Sequence, residues 1–245
     1  MLLAIDIGNS AIKFGLFKGE TLTEKFSIPT KRDTTADEIK LAVGDRLRLP
    51  IEAAIVCSVV PELDAAMREF LRKVTTLDPV FVANSFDFGL KINYEPLESL
   101  GTDRLVNAFA AAEKYGAPVI VCSLGTATTI DVVSADREFL GGIIAPGIEA
   151  MAEGLHMKAP GLPKVKIEAH SNLLGNSTPE SMRFGLYHGY VSMVEGLITR
   201  IRTTSGIVRV IGTGGNAARF SAEFAGMMTV DPDLVLNGLL ILARH

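Results

Sequence analysis

The sequence predicts a duplicated α/β fold built on two mixed sheets, and three observations lead there. The order βββαβαβ is readable over residues 1–83 and again, with a helical insertion, after residue 116. The two halves open alike: Ala4-Ile5-Asp6-Ile7-Gly8-Asn9-Ser10 stands against Val121-Cys122-Ser123-Leu124-Gly125-Thr126-Ala127. The 245 residues are 48% hydrophobic and 21% charged at a mean hydropathy of +0.30, enough to bury a sizeable core in one large domain or two small ones. The expected division is 1–115 and 116–245, with a cleft between the halves, a favoured place for ligands.

In the first half, Leu2 to Ile7, Ala11 to Phe17 and Leu22 to Ile28 read as three short strands, joined by turns at Gly8-Asn9-Ser10 and Lys18-Gly19-Glu20. Thr34 or Thr35 then caps a helix, with Asp37 and Glu38 as capping-box partners and helical spacing running up to Pro50. A strand at Ala53 to Val59, a helix opened by Pro61 and running to about Lys73, and a strand at Pro79 to Ala83 complete the pattern. Asn84 to Leu100 reads as a connection, and a helix from Thr102 to Tyr115 ends on Gly116.

In the second half, strands are expected at Val119 to Ser123, Thr129 to Val133 and Phe139 to Ile144, then a helix near Pro146 and a long one from about Pro179 to Arg202. A strand at Val208 to Ile211, a helix near Ala217 to Phe224, a strand at Met227 to Val230 and a helix from Pro232 to Ala243 follow.

Composition narrows the class of partner. With 24 Lys+Arg against 28 Asp+Glu the formal net charge is −4, and no basic run occurs, so the chain has no electrostatic footprint for nucleic acid or an anionic membrane. No apolar stretch reaches the roughly 18 residues that span a bilayer, and the apolar start is broken by Asp6, unlike a signal peptide. A cytoplasmic location and a small-molecule ligand are expected. Cys57 and Cys122, the two cysteines, each lie in a β-branched apolar run and read as core thiols. The four histidines, at 156, 170, 188 and 245, share no metal-ligand spacing, and no Gly-x-Ser-x-Gly elbow occurs.

Several turns could carry chemistry. Asp6-Ile7-Gly8-Asn9-Ser10 puts a carboxylate at a strand end, then a glycine that lets backbone amides approach a ligand, then two donor side chains. Such a turn suits phosphate oxygens, with Asp6 holding hydrated Mg²⁺; locally, a plain Asn-Ser hairpin turn fits as well. Gly125-Thr126-Ala127-Thr128-Thr129 repeats the arrangement. Gly212-Thr213-Gly214-Gly215-Asn216 follows a strand and opens a helix, matching neither a Walker loop nor GxGxxG. At Gly101-Thr102-Asp103-Arg104, Thr102 suits a cap, Asp103 the positive end of a helix or a general base, and Arg104 a bidentate carboxylate ligand. Gly141-Gly142 and Pro146-Gly147 suit a tight strand-to-helix corner.

These motifs, with Tyr94 and Leu174-Gly175-Asn176-Ser177-Thr178, stand in the order and spacing of one family. Over essentially its whole length the chain resembles type III pantothenate kinases, members of the acetate and sugar kinase, Hsc70 and actin superfamily. The resemblance implies a duplicated ribonuclease H-like (actin-like ATPase) fold, and ATP-dependent phosphorylation of pantothenate to 4'-phosphopantothenate, the first step of coenzyme A biosynthesis. It implies ATP contacts from Asp6, Ile7, Gly8, Asn9, Ser10, Ala11, Ile12 and Lys13, and from Thr126. Asp103 is then the catalytic base, Arg104 the ligand of the pantothenate carboxylate, and Tyr94, Gly101, Thr102 and Thr178 further substrate contacts. It also implies Mg²⁺ held by Asp6 through water, a monovalent cation such as K⁺ or NH₄⁺ near position 123, and a homodimer.

The chain departs from the family twice. Thr102 replaces the usual alanine, and Ser123 stands where the family usually has an aspartate. A serine there offers a neutral ligand in place of a charged one, which leaves two consequences open: weaker cation binding, or altered activity. A catalytically inactive relative that binds a nucleotide or metabolite as a regulator is the alternative.

Overall fold

The computed structural model describes residues 1–47 and 50–244 and divides into two compact units. One comprises Met1–Ala117, Asp136–Leu140 and Asp233–His245; the other comprises Pro118–Ala135 and Gly141–Pro232.

The first unit is built on a five-stranded sheet. Strands β1 (Leu2–Ile7), β2 (Ala11–Lys18) and β3 (Thr21–Pro29) form an antiparallel meander, and β4 (Ala53–Ser58) and β5 (Val80–Phe81) add in parallel on the other side of β1, giving the order β3-β2-β1-β4-β5. β1 and β4 are almost wholly buried, so their near-continuous apolar runs reflect a sheet covered on both faces. On one face α1 (Ala36–Val43) and α2 (Pro61–Val74) close a core of Leu3, Ile5, Phe14, Ile39, Val56, Leu63, Met67 and Phe70, with Phe14 stacked on Phe26 at 4.9 Å.

The α1 cap is a full capping box: Thr35 accepts from the Glu38 backbone and Glu38 from that of Thr35. The helix ends sooner than expected. Gly44, a poor helix former, opens a single 3-10 turn, Gly44–Arg46, and part of the stretch expected to continue to Pro50 lies outside the described residues.

Helices α3 (Thr102–Tyr115) and α6 (Leu234–Leu242) pair within this unit. Gly238 lets them approach: a Cβ there would lie 2.8 Å from the Ala110 Cβ. Residues 84–100, expected as a bare connection, hold the short strand β6 (Lys91–Ile92) and a 3-10 turn, Leu97–Ser99. β6 runs parallel to the first residues of β9 (Glu138–Pro146).

In the second unit β7 (Val119–Leu124) and β8 (Ala127–Val133) form an antiparallel hairpin, and β10 (Val210–Thr213) and β11 (Thr229–Val230) run parallel beyond β7, giving the order β11-β10-β7-β8-β9. α4 (Ile148–Lys158) and α5 (Thr178–Ser205) cover a core of Ile120, Cys122, Ile130, Tyr187, Tyr190, Val194, Phe220 and Phe224. The helix expected near Ala217 to Phe224 is instead a run of turns. Its backbone hydrogen bonds mix three- and four-residue spans, although Ala217, Phe220 and Phe224 bury at helical spacing.

Candidate active site

Asp6 and Lys13 lie directly opposite each other in the β1–β2 ladder, and the ladder puts their side chains on one face. Lys13 Nζ donates to Asp6 Oδ2 at 3.1 Å. Asp6 is buried, whereas Lys13 is a third exposed at its side chain, so the ammonium lies at the rim of a carboxylate already taken out of water. Between them the chain turns at Gly8, whose N–H donates to Ala11 O at 3.1 Å. Asn9 and Ser10 are exposed at the tip, and Ala11 and Ile12 lead into β2, with Ile12 in the core. The residues thus form a hairpin turn that carries a carboxylate, an ammonium and two exposed polar side chains.

Cys57 is beside Asp6 in the parallel β1–β4 register. Burial pushes its thiol well above the usual range, and the charges of Asp6 and Asp103 push it further. It is a neutral core group, as expected.

Gly101 is the N-cap of α3, and Thr102, expected as the cap, is instead the first helical residue. Its hydroxyl donates to Asn84 Oδ1 at 2.7 Å, and the Asn84 amide in turn donates to Leu97 O and Leu100 O, which ties the loop before the helix to its first turn. Asp103 Oδ1 accepts from the Arg104 backbone N–H at 2.9 Å, which suits a carboxylate at the positive end of a helix. Arg104 is buried, with its guanidinium carbon 5.7 Å from the Tyr94 ring centre and 5.9 Å from that of Phe139. The two rings meet edge to face at 6.2 Å. Desolvated aromatic faces hold a planar cation in place and strengthen its pull on an anion.

In the second unit, Ser123 stands in the sheet register between two hydroxyl residues, opposite Thr129 on β8 and Thr213 on β10. Thr126 is exposed at the tip of the β7–β8 turn. Two glycine corners hold this turn. Gly147 donates to Thr126 O at 3.0 Å, and a Cβ on it would lie 2.1 Å from Gly125 O. Gly214, at φ +93°, passes so close to Leu124 that a Cβ would lie 2.6 Å from its carbonyl oxygen, and Asn216 N donates to that oxygen at 2.8 Å. The glycines read separately in the sequence thus shape one turn. Cys122, on the same strand, has its thiol pushed up to about 12 by burial and then by Asp131.

Thr178 is the first residue of α5 and is exposed. It lines a cavity of about 740 Å³ with Gly175, Asn176, Ser177, Leu155 and Met182. The Asn176 N–H donates to Glu180 in the first turn of α5 at 3.1 Å.

Within the first unit the structure therefore joins Asp6, Gly8 and Lys13 in one turn, and Tyr94, Gly101, Asp103 and Arg104 around one helix start. Within the second unit it groups Ser123 with the Thr126 turn, and it sets Thr178 at a helix start of its own. Sequence reasoning missed Asn84 and Phe139, one inside a stretch read as connection and the other read as an ordinary strand residue. Among the described residues no group of three or more His, Cys, Asp or Glu could hold a metal ion. No helix among them is long and apolar enough to cross a membrane.

Residues 2–200 match the family described as type III pantothenate kinase. Among curated relatives, the type III pantothenate kinase of Paramagnetospirillum magneticum is 40% identical over 100% of this chain and 97% of its own. That of Rhodospirillum rubrum is 39% identical over 100% and 98%. Among solved structures, an inorganic polyphosphate/ATP-glucomannokinase from Arthrobacter superposes with a TM-score of 0.52 at 15% identity, covering 100% of this chain and 99% of that one. An activator of 2-hydroxyisocaproyl-CoA dehydratase from Clostridium difficile, with bound ADPNP, gives 0.54 at 14% identity over 98% and 91%. At such identities the likeness carries the fold alone, the duplicated ribonuclease H-like fold of actin-like ATPases and sugar kinases. The match over most of the chain, joined to relatives that span all of it, makes this chain a member of the type III pantothenate kinase family.

Proposed function

We propose that the protein transfers the γ-phosphoryl group of ATP to the primary hydroxyl of pantothenate, as its family does, and that residues 101–104 are where the reaction is carried out. The observation that carries this reading is the start of α3. A carboxylate and a buried, aromatic-flanked guanidinium stand on consecutive residues, which is what a substrate with both a hydroxyl to deprotonate and a carboxylate to hold requires. Nothing favours the non-catalytic alternative, since a pure binding module has no use for the base.

In this reading Arg104 anchors the pantothenate carboxylate, with Tyr94, Gly101, Thr102 and Thr178 as further contacts. Asp103 accepts the proton of the hydroxyl as its oxygen attacks the γ-phosphorus. The new O–P bond forms as the bond from the γ-phosphorus to the bridging oxygen breaks, and ADP leaves with that electron pair. Phosphoryl transfer asks mainly for positioning and charge stabilisation, which in this reading come from residues Asp6 to Lys13 of the first turn and from Thr126 of the second.

In this reading a divalent cation meets Asp6 through water, since Asp6, at the end of β1, is the one carboxylate of residues 6–13. When bound, Mg²⁺ would neutralise charge on the phosphates. Position 123 offers a monovalent cation the neutral hydroxyl of Ser123 in place of a carboxylate, and no step here relies on one. The family resemblance also supports a homodimer and a cytoplasmic setting.

A coupled ADP-release assay with pantothenate, run with and without K⁺, tests the reading. Pantothenate-dependent turnover is expected, and none above background under either condition would overturn it.

A further inference from the structure

The first phosphate turn is held from outside by residues just beyond β3. Thr30 Oγ1 donates to Gly8 O at 2.6 Å, and Thr30 N donates to Ser10 O at 3.1 Å. Two residues on, Arg32 reaches back to the turn. One amino group of its guanidinium donates to Asn9 Oδ1 at 3.3 Å, and the other donates to Glu62 Oε1 in the first turn of α2. A guanidinium is a donor only, so the Asn9 amide must present its oxygen to Arg32 and turn its NH₂ group elsewhere. Phosphate oxygens are acceptors. An Asn9 amide rotated the other way would meet them with its own oxygen.

We infer that Arg32 is a positioning residue for the nucleotide: held by Glu62, it fixes the Asn9 amide so that its NH₂ group faces the phosphates. The inference rests on the reading of residues 6–13 as the ATP phosphate turn. Glu62 is suited to its part. A hydrogen bond from its own backbone, and then the one from Arg32, hold its carboxyl below the usual range, so it is charged wherever the enzyme works. Arg32 and Glu62 are both exposed, and an exposed ion pair alone is worth little. What matters is the fork, because a planar guanidinium reaches both partners at fixed angles and an ammonium does not.

Three variants and one combination test this by steady-state kinetics. Arg32→Met is expected to raise the KM for ATP roughly threefold to tenfold, the worth of one ordinary hydrogen bond, leaving kcat and the pantothenate KM unchanged. Arg32→Lys is expected to behave like Arg32→Met. Asn9→Ala raises the ATP KM by itself, and adding Arg32→Met to it is expected to change nothing more. An Arg32→Lys enzyme with the wild-type KM, or a full Arg32→Met penalty in the Asn9→Ala background, would show a direct charge contact and overturn the inference. An unchanged ATP KM in Arg32→Met would do the same. Wild-type enzyme without turnover overturns the kinase reading instead, and ADP affinities of the same variants, taken by calorimetry, then decide the role of Arg32 on their own.

Discussion

A methyl group on Gly101 would stand 2.6 Å from Oδ1 of Asp103, although the backbone at Gly101 (φ −57°, ψ 126°) accepts any residue. The glycine is thus needed for the place it leaves the carboxylate, since its dihedral angles make no demand. Gly101→Ala is expected to push the Asp103 side chain aside at little cost in stability, because the group that must give way is the end of a side chain. With Asp103 as base, kcat falls by about 10- to 100-fold, the scale of a misplaced catalytic group, and the melting temperature stays close to wild type. Unchanged kcat would mean that the observed carboxylate position is not the working one.

Asp103→Asn keeps the size of the side chain and an oxygen able to accept from the Arg104 backbone N–H, but it removes the proposed proton acceptor. ATP affinity is expected to hold while turnover drops by about 10²-fold or more. Equal turnover in the two proteins would take Asp103 out of the base role.

Ser123 offers a test of charge alone. Ser123→Asp restores the carboxylate usual in the family among the hydroxyls of Thr129 and Thr213. K⁺ dependence is expected to appear or strengthen in the variant. Activity that is identical across K⁺ concentrations in both proteins would show that this position does not hold the cation.

Gly214 combines the two reasons for needing glycine, a positive φ of +93° and backbone atoms of Leu124 within 2.6 to 2.8 Å of where a Cβ would be. Unlike the Gly101 case, the obstacle is main chain and cannot rotate away. Gly214→Ala is expected to destabilise the protein by at least ~2 kcal/mol, read as a lower urea midpoint, and to disturb the Thr126 turn it supports. A wild-type midpoint would show that the corner relaxes freely.

What the sequence revealed depended on how local each signal was. The meander and the Thr35–Glu38 capping box are encoded by neighbouring residues, and each is found where expected. Thr102 departs from the expected cap because Gly101 takes that place and the Thr102 hydroxyl goes to Asn84, 18 residues away. The Ala217 to Phe224 stretch has the apolar spacing of a helix, yet its backbone closes in turns of mixed span, which a hydrophobic pattern does not distinguish. Phe139 gained its significance through Arg104 and Tyr94, contacts across the chain that no local window contains.

The second unit also carries an alkaline liability. The phenols of Tyr187 and Tyr190 are both pushed up to about 12, in each case chiefly by burial. Tyr187 donates to Glu223 Oε1 at 2.6 Å, which raises it further, whereas the bond between Tyr190 and the buried Thr128 hydroxyl, at 2.8 Å, works the other way. An unfolded tyrosine titrates near 10, so between pH 10 and 12 the folded protein keeps protons that the unfolded chain gives up. The stability that depends on these neutral phenols is whole below pH 10 and is lost as pH rises through about 12. Lysines titrate in the same range, so the measurement is a comparison: urea midpoints of wild type and of Tyr187→Phe/Tyr190→Phe from pH 9 to 12. The variant starts lower, having lost both hydroxyl contacts, and is expected to fall less steeply. Parallel curves would show that the two phenols ionise as easily folded as unfolded.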